Sequence, residues 1–257
     1  MDTAAIPLWS SASAAAVAAG AGIAAWGAMH PAAQLFGPTI RRTPRPNALA
    51  LTFDDGPNPA VTPRLLDLLE RYQARATFFL IGRFARACPE LVREITARGH
   101  VAGNHTDTHP NLIWLSRARI AGELERCQLA VAEACGSAPR WMRPPYGFRG
   151  PQLAAETRRQ GLRGVVMWSL ICYDWKLQPV SQLIQRLGRA GGNRNAAGGD
   201  IVVLHDGDHR LLNGRRQHVV EALEYWLPRW RDAGLEFVTM DEVAAGASAP
   251  QPSTPHG

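Results

Sequence analysis

From Asn47 onward the chain repeats one pattern, a short apolar run followed by an amphipathic stretch, and this alternation restricts its folds more than any other feature. The runs are Ala48–Phe53, Ala76–Ile81, His100–Gly103, Gly164–Leu170, Ile201–Leu204 and Leu235–Met240. Between them lie Pro63–Gln73, Pro89–Arg98, Arg117–Ala134, Pro151–Arg159, Pro179–Ala190 and Gln217–Ala233, all helical in pattern. Leu65, Leu66, Leu68 and Leu69 form a helical stripe, and proline at the opening of several segments is a helix start signal. Strands that are apolar on both faces and separated by helices imply a parallel sheet covered by helices. With six or more such units the sheet can close into a barrel. The expected division is a domain over residues 47–245, preceded by a hydrophobic segment and linker at 1–46 and followed by a disordered tail at 246–257, rich in Pro, Ser and Ala.

Composition sets outer limits. At 46% apolar and a net charge of +6, the chain can bury a core, and disorder throughout is excluded. Cys88, Cys127, Cys135 and Cys172 contain no C-x-x-C pair, so neither a zinc ribbon nor a thioredoxin-like site is expected. A sequence pI near 9.7 raises the question of a nucleic-acid partner. The positive charge, arginine except for Lys176, is dispersed among acidic residues in the helical stretches and never runs beyond two in a row. Such dispersal is the mark of solvated faces, so no nucleic-acid partner is expected.

The N-terminal segment differs from everything after it. Between Asp2 and Arg41 there is no charged Asp, Glu, Lys or Arg, and residues 6–29 are rich in Ala, Gly and Ser. At about 1.5 Å per residue the stretch is long enough for a hydrocarbon core of about 30 Å. A membrane segment is the favoured expectation, against a cleaved signal lacking its basic n-region and an Ala-rich helix packed on the domain. Arg41, Arg42 and Arg45 follow it, and the positive-inside tendency would place the domain in the cytoplasm.

Polar residues gather where the apolar runs end, which is where a parallel barrel carries its chemistry. Thr52-Phe53-Asp54-Asp55-Gly56-Pro57 closes the first run. Adjacent carboxylates on an extended backbone point in opposite directions and can serve two roles, although Asp-Asp-Gly-Pro alone reads equally as a polar turn. His105-Thr106-Asp107-Thr108-His109 follows the third run, and two histidines four apart reach one metal ion if the chain turns between them. Arg143-Pro144-Pro145-Tyr146-Gly147, then Tyr173-Asp174-Trp175, then Leu204-His205-Asp206 occupy later strand ends. Each alone could be a local cap. Their succession at strand ends is what argues for a site.

Taken in order, these motifs resemble the five of the polysaccharide deacetylases, the nodulation-type deacetylase domain of carbohydrate esterase family four. The resemblance covers roughly residues 47–245. It implies a distorted (β/α) barrel of about seven parallel strands behind an N-terminal hydrophobic helix. It implies removal of N- or O-acetyl groups from a polysaccharide, an N-acetylglucosamine-containing cell-envelope polymer being the default, with a divalent metal, zinc or else cobalt or another ion. Residue by residue, it implies that Asp55, His105 and His109 hold the metal, Asp54 is the general base and His205 the general acid. Arg143 then tunes Asp54 and is oriented by Asp174, the Tyr146 backbone N–H faces the oxyanion, and Trp175 and Leu204 line a slot for the acetyl methyl.

One position departs from the pattern. The fourth motif reads Asp-x-x-Asp-Trp in the family, and Ile171 stands at its first acid. His209 lies near the fifth motif and could touch substrate, while Asp107 reads as a loop carboxylate. Trp141, Trp168, Trp226 and Trp230 read as core. Two other functions remain open, a carbohydrate-binding pseudoenzyme and a hydrolase of a small cytoplasmic amide. A polysaccharide substrate would put the domain outside the cytoplasm, held at the membrane by residues 6–29, against the reading of the three arginines.

Overall fold

The structure is a computed structural model that describes residues 8–176, 178–191 and 198–248. Its elements run, in chain order, α1 (Leu8–Met29), β1 (Thr39–Ile40), β2 (Ala48–Gly56), α2 (Thr62–Arg71), β3 (Ala76–Leu80), α3 (Gly82–Ala87), α4 (Pro89–Ala97) and β4 (Val101–Asn104). There follow α5 (Arg117–Cys135), β5 (Trp141–Met142), α6 (Leu153–Arg159), β6 (Gly164–Val166), β7 (Leu170–Ile171), α7 (Val180–Leu187), β8 (Ile201–His205), α8 (Gln217–Asp232), β9 (Glu236–Phe237) and α9 (Met240–Ser248). The strands pair in the order β1-β6-β5-β4-β3-β2-β8-β7, with β9 added to β2, and every ladder between them is parallel. This is the distorted, open-sided barrel expected, with β1 and β7 at its two edges.

The two faces of β2 explain the layering. Leu49, Leu51 and Phe53 join the core beneath the helices, with Leu65, Leu66 and Leu69 of α2 and Leu223 and Leu227 of α8. Each of these fully buried leucines contributes about 1.5–3 kcal/mol. Ala48 and Ala50 turn inward against Phe79, Trp141, Val166 and Ile201. The same period of two carries Thr52 and Asp54 inward at the C-terminal end, so the inside of the barrel is apolar at its base and polar at its mouth.

The run Gly164–Leu170 is not one strand. β6 pairs with β5 and β1 at one edge, whereas β7 pairs with β8 at the other. The chain crosses the open side between them: Met167 N–H donates to Ile40 O and Ser169 N–H to Ile201 O. The carbonyls of Val166 and Met167 are taken by the Arg143 guanidinium. β1 and β5 have only two residues each, too few for a period to show in sequence. The run at Leu235–Met240 yields only the short β9, and Met240 opens α9, which extends to Ser248 across the start of the expected tail. The rest of that tail lies outside the described residues.

α1 forms where the hydrophobic segment was read, and residues 15–26 of it are exposed. No helix among the described residues is long and apolar enough to cross a membrane. The helix has the length; it lacks the leucine-type side chains whose transfer would drive insertion, being mostly Ala, Gly and Ser. Its last turn docks on the domain through Ala28, whose carbonyl accepts the Arg149 backbone N–H at 3.1 Å.

Candidate metal and catalytic centre

Asp54 and Asp55 both line one cavity of about 530 Å³ at the mouth of the barrel. The expected opposition of the two carboxylates fails because β2 is bulged between Asp54 and Gly56 and Asp55 takes a left-handed φ of 70°. A bulge re-aims the extra residue, here turning Asp55 back to the side that Asp54 already faces. His109 and Tyr146, also on the cavity wall, have φ of 60° each. Such backbone costs on the order of 1–3 kcal/mol per residue and collects where function holds it.

Asp55, His105 and His109 bring one ligand atom each to within 4.8 Å of one another. Asp55 Oδ1 lies 3.5 Å from His105 Nε2 and 3.3 Å from His109 Nε2, is buried, and has no hydrogen-bond partner among the described residues. An orphaned carboxylate oxygen facing two imidazole nitrogens fits a divalent cation. The protonation states agree. Burial opposes ionisation of Asp55, but the rings of His105 and His209 and the nearby His109 and His205 hold its pKa well below the carboxylate range. Burial and the neighbouring His105 push His109 down to about 3, so it is neutral, as a ligand must be.

The turn that joins the two histidines is built by neighbouring side chains. Glu123 of α5 accepts the backbone N–H groups of Asp107 and Thr108, and Thr106 Oγ1 accepts that of His109. His105 Nδ1 sits 2.7 Å from Arg143 O, which leaves Nε2 for the metal. Asp107 is tied to Arg86 and Arg126 at the back of the turn, a loop carboxylate as read.

Two ion pairs flank this triad. Arg143 is wholly buried and donates from Nη1 to Asp54 Oδ1 at 2.9 Å and to Thr52 Oγ1 at 2.7 Å. Its guanidinium also lies over the Phe79 ring, 4.4 Å from the centroid. Asp174, in the loop after β7, holds His205 at the end of β8, with Oδ1 3.0 Å from Nδ1 and Oδ2 accepting the His205 backbone N–H at 2.7 Å. Asp174 therefore orients the histidine, and the expectation that it orients Arg143 is corrected. Burial works against charge on His205, but Asp174, Asp55 and Asp54 raise its pKa to about 9. The β2–β8 register sets Asp54 directly opposite His205.

Leu204 is displaced from its expected role. Alternation along β8 sends Val203 and His205 into the cavity and Leu204 into the core under the helices. The apolar part of the wall is Val203, Ile171, Trp168 and Trp175, and Trp175 packs edge-on to His205 at 5.3 Å. Trp168, read as core, lies against Gly147, where a Cβ would come within 2.4 Å of its ring. Tyr146 stands at the mouth as expected, its ring edge-on to His109. His209 stacks on His109 with centroids 4.3 Å apart.

Comparison with known proteins agrees with this geometry. A chitooligosaccharide deacetylase of Bradyrhizobium sp. is 38% identical over 200 residues, 75% of this chain and 89% of the relative. A solved peptidoglycan N-acetylglucosamine deacetylase in complex with a substituted benzamide superposes with a TM-score of 0.70 at 32% identity, covering 80% of this chain and 92% of that one. A Bacillus anthracis chain described as a CE4 family pseudoenzyme superposes equally well, TM-score 0.70, at 26% identity over 80% of this chain and 68% of its own. Residues 41–165 match the family described as Polysaccharide deacetylase, and with these relatives they show that the chain belongs to it.

Proposed function

We propose that this chain is a metal-dependent deacetylase that hydrolyses the acetamide of an N-acetylglucosamine-containing polymer or oligomer. The observation that carries the reading is the pairing of Asp54 with Arg143 and of His205 with Asp174 on adjacent strands, beside the Asp55–His105–His109 cluster in one cavity. Fold likeness alone does not favour turnover, since a pseudoenzyme shares it. Two poised proton-transfer groups beside a complete ligand set do.

Asp55, His105 and His109 would hold a divalent ion, zinc in our reading, which when bound would supply Lewis acidity toward the acetyl carbonyl and the attacking water. Asp54 acts as general base, its carboxylate held through Oδ1 by the buried Arg143 that it pairs with. His205 acts as general acid. It is protonated at neutral pH, its Nδ1 is occupied by Asp174, and its Nε2 is left to give a proton to the departing amine. The Tyr146 backbone N–H faces the oxyanion. Val203, Ile171, Trp168 and Trp175 enclose the acetyl methyl, a wall that admits a small acyl group.

The substrate reading places the domain outside the cytoplasm, where such polymers lie, with α1 associated with a membrane rather than crossing it. Fractionation of cells, with protease treatment of spheroplasts, tests the location: full protection until lysis would favour the small cytoplasmic amide. The function is tested by acetate release from chitooligosaccharides, peptidoglycan fragments and acetylxylan, with and without added zinc. Release from N-acetylated glycans that chelation abolishes is expected. Metal binding without release from any of them would leave the carbohydrate-binding pseudoenzyme as the better account.

A further inference from the structure

The three ligands are not equally supported. His105 is fixed through Nδ1, which meets Arg143 O at 2.7 Å. His109 has no such anchor: its Nδ1 is buried and has no hydrogen-bond partner among the described residues. A ligating imidazole ordinarily gives its second nitrogen to a carbonyl, carboxylate or water, which sets the ring plane. Here the plane is set by packing. His209 lies parallel to it, centroids 4.3 Å apart and planes 20° apart, and the Tyr146 ring meets it edge-on at 4.6 Å.

His209 also serves the third ligand. Its Nδ1 lies 3.8 Å from Asp55 Oδ2, the oxygen that does not face His105 and His109. The loop that carries it is tied down on several sides. Asn58 Nδ2 donates to Asp206 O at 2.9 Å and to Gly214 O at 2.8 Å, pinning both ends. Asp208 accepts the Arg210 backbone N–H and pairs with Arg216, and Arg83 donates to the His209 carbonyl. Gly207 runs so close to the Asp55 carbonyl that a Cβ there would fall 2.0 Å from the oxygen. One ligand from β2 and one from the loop after β4 thus lean on one side chain, in a loop outside the motif residues.

We propose that His209 is a positioning residue of the metal centre, holding the His109 ring plane by stacking and the Asp55 carboxylate through its distal oxygen. This rests on the Asp55–His105–His109 reading and adds to it a fourth residue that is not itself a ligand. Outer groups of this kind alter metal affinity by about 10–100-fold.

The test is titration of the metal-free full chain with zinc against a chromophoric chelator, and with cobalt followed by its visible absorption. His209→Ala should weaken zinc about 10–100-fold while stoichiometry stays at one ion, and should change the cobalt spectrum. His209→Phe, which keeps a stacking ring, and His209→Gln, which keeps a donor near Asp55, should each recover part of the affinity. Zinc affinity in His209→Ala within twofold of the parent overturns the proposal. A loss that neither Phe nor Gln recovers also overturns it, because the cause is then the loop and not these two contacts. His105→Ala separates the two readings: if that variant keeps the parent's zinc affinity, the ligand assignment fails and this inference with it, whereas loss of binding in His105→Ala beside an indifferent His209→Ala removes only the latter.

Discussion

Asp174 grips His205 at two points, carboxylate to ring and carboxylate to backbone N–H, and makes no hydrogen bond to Arg143. The two charged pairs of the site are therefore separate devices, one for the acid and one for the base, and each can be tested alone.

For the acid, activity should persist to high pH and fall as pH rises through about 9, where His205 loses its proton. Asp174→Asn removes the charge that raises this pKa, so the basic limb of the pH–rate profile should move down toward 6.5. His205→Ala should keep metal and fold and lose about 10²–10⁴-fold in kcat. An unmoved basic limb in Asp174→Asn would remove the pair from the mechanism.

For the base, Arg143→Met leaves the buried Asp54 carboxylate without its cation and the Thr52 hydroxyl and the Val166 and Met167 carbonyls without their donor. Breaking a buried pair by removing one partner costs about 3–5 kcal/mol, to be read by urea denaturation. In the folded fraction kcat should fall as well, since the base has lost the partner that holds its carboxylate in place. Full stability in this variant would contradict the packing described.

Away from the site, His100 is buried, with Nδ1 accepting the Ala76 backbone N–H, and burial with Arg98 and Arg75 nearby lowers its pKa to about 4. In the unfolded chain it titrates near 6.5. Between those values the unfolded state binds the proton and the folded state does not, so stability falls as pH drops from 6.5 to 4, by about 3 kcal/mol in all. His100→Asn keeps an acceptor and cannot titrate. It should flatten the stability curve in that window, measured as unfolding free energy against pH, relative to the parent.

How much of this could be read from residues alone differs from place to place. β2 was legible because its run is apolar on both faces and breaks at once into the polar Thr52–Pro57 motif. The ligand set was legible only through the family resemblance, because two histidines four apart reach one ion only if the chain turns between them and nothing in the spacing prefers Asp55 to Asp54. The side on which Asp55 falls was not, since a bulge adds a residue and reverses the alternation without a marker in composition. The partner of Asp174 was hidden for another reason: it depends on how the loop after β7 lies against β8, a tertiary fact. Val203 in place of Leu204 was available in principle, because residues two apart share a face and His205 fixes which face it is. His209 was legible as a residue near the fifth motif that could touch substrate, but its contacts with His109 and Asp55 depend on how the loop after β8 folds back.

Ile171 is where this chain departs from its family's fourth motif, and its position changes what the departure means. An account in which Arg143 is left with Asp174 as its one acid has no basis, as those two do not pair. Ile171 instead lines the cavity, half-buried in β7 beside Val203, its register partner on β8. Its role in our reading is to close the apolar wall around the acetyl methyl. Ile171→Ala should then enlarge that slot and relax discrimination between acyl groups. One methylene in an apolar pocket is worth about 1–3 kcal/mol, so the preference for acetyl over propionyl amides, measured as a ratio of kcat/KM values, should fall by about tenfold or more. The metal affinity and the basic limb set by His205 should stay where they are, because an aliphatic side chain gives neither device a charge or a hydrogen bond. An unchanged acyl preference in a folded, metal-loaded Ile171→Ala protein would show that the methyl lies elsewhere, and would shift attention to the Trp175 side of the wall.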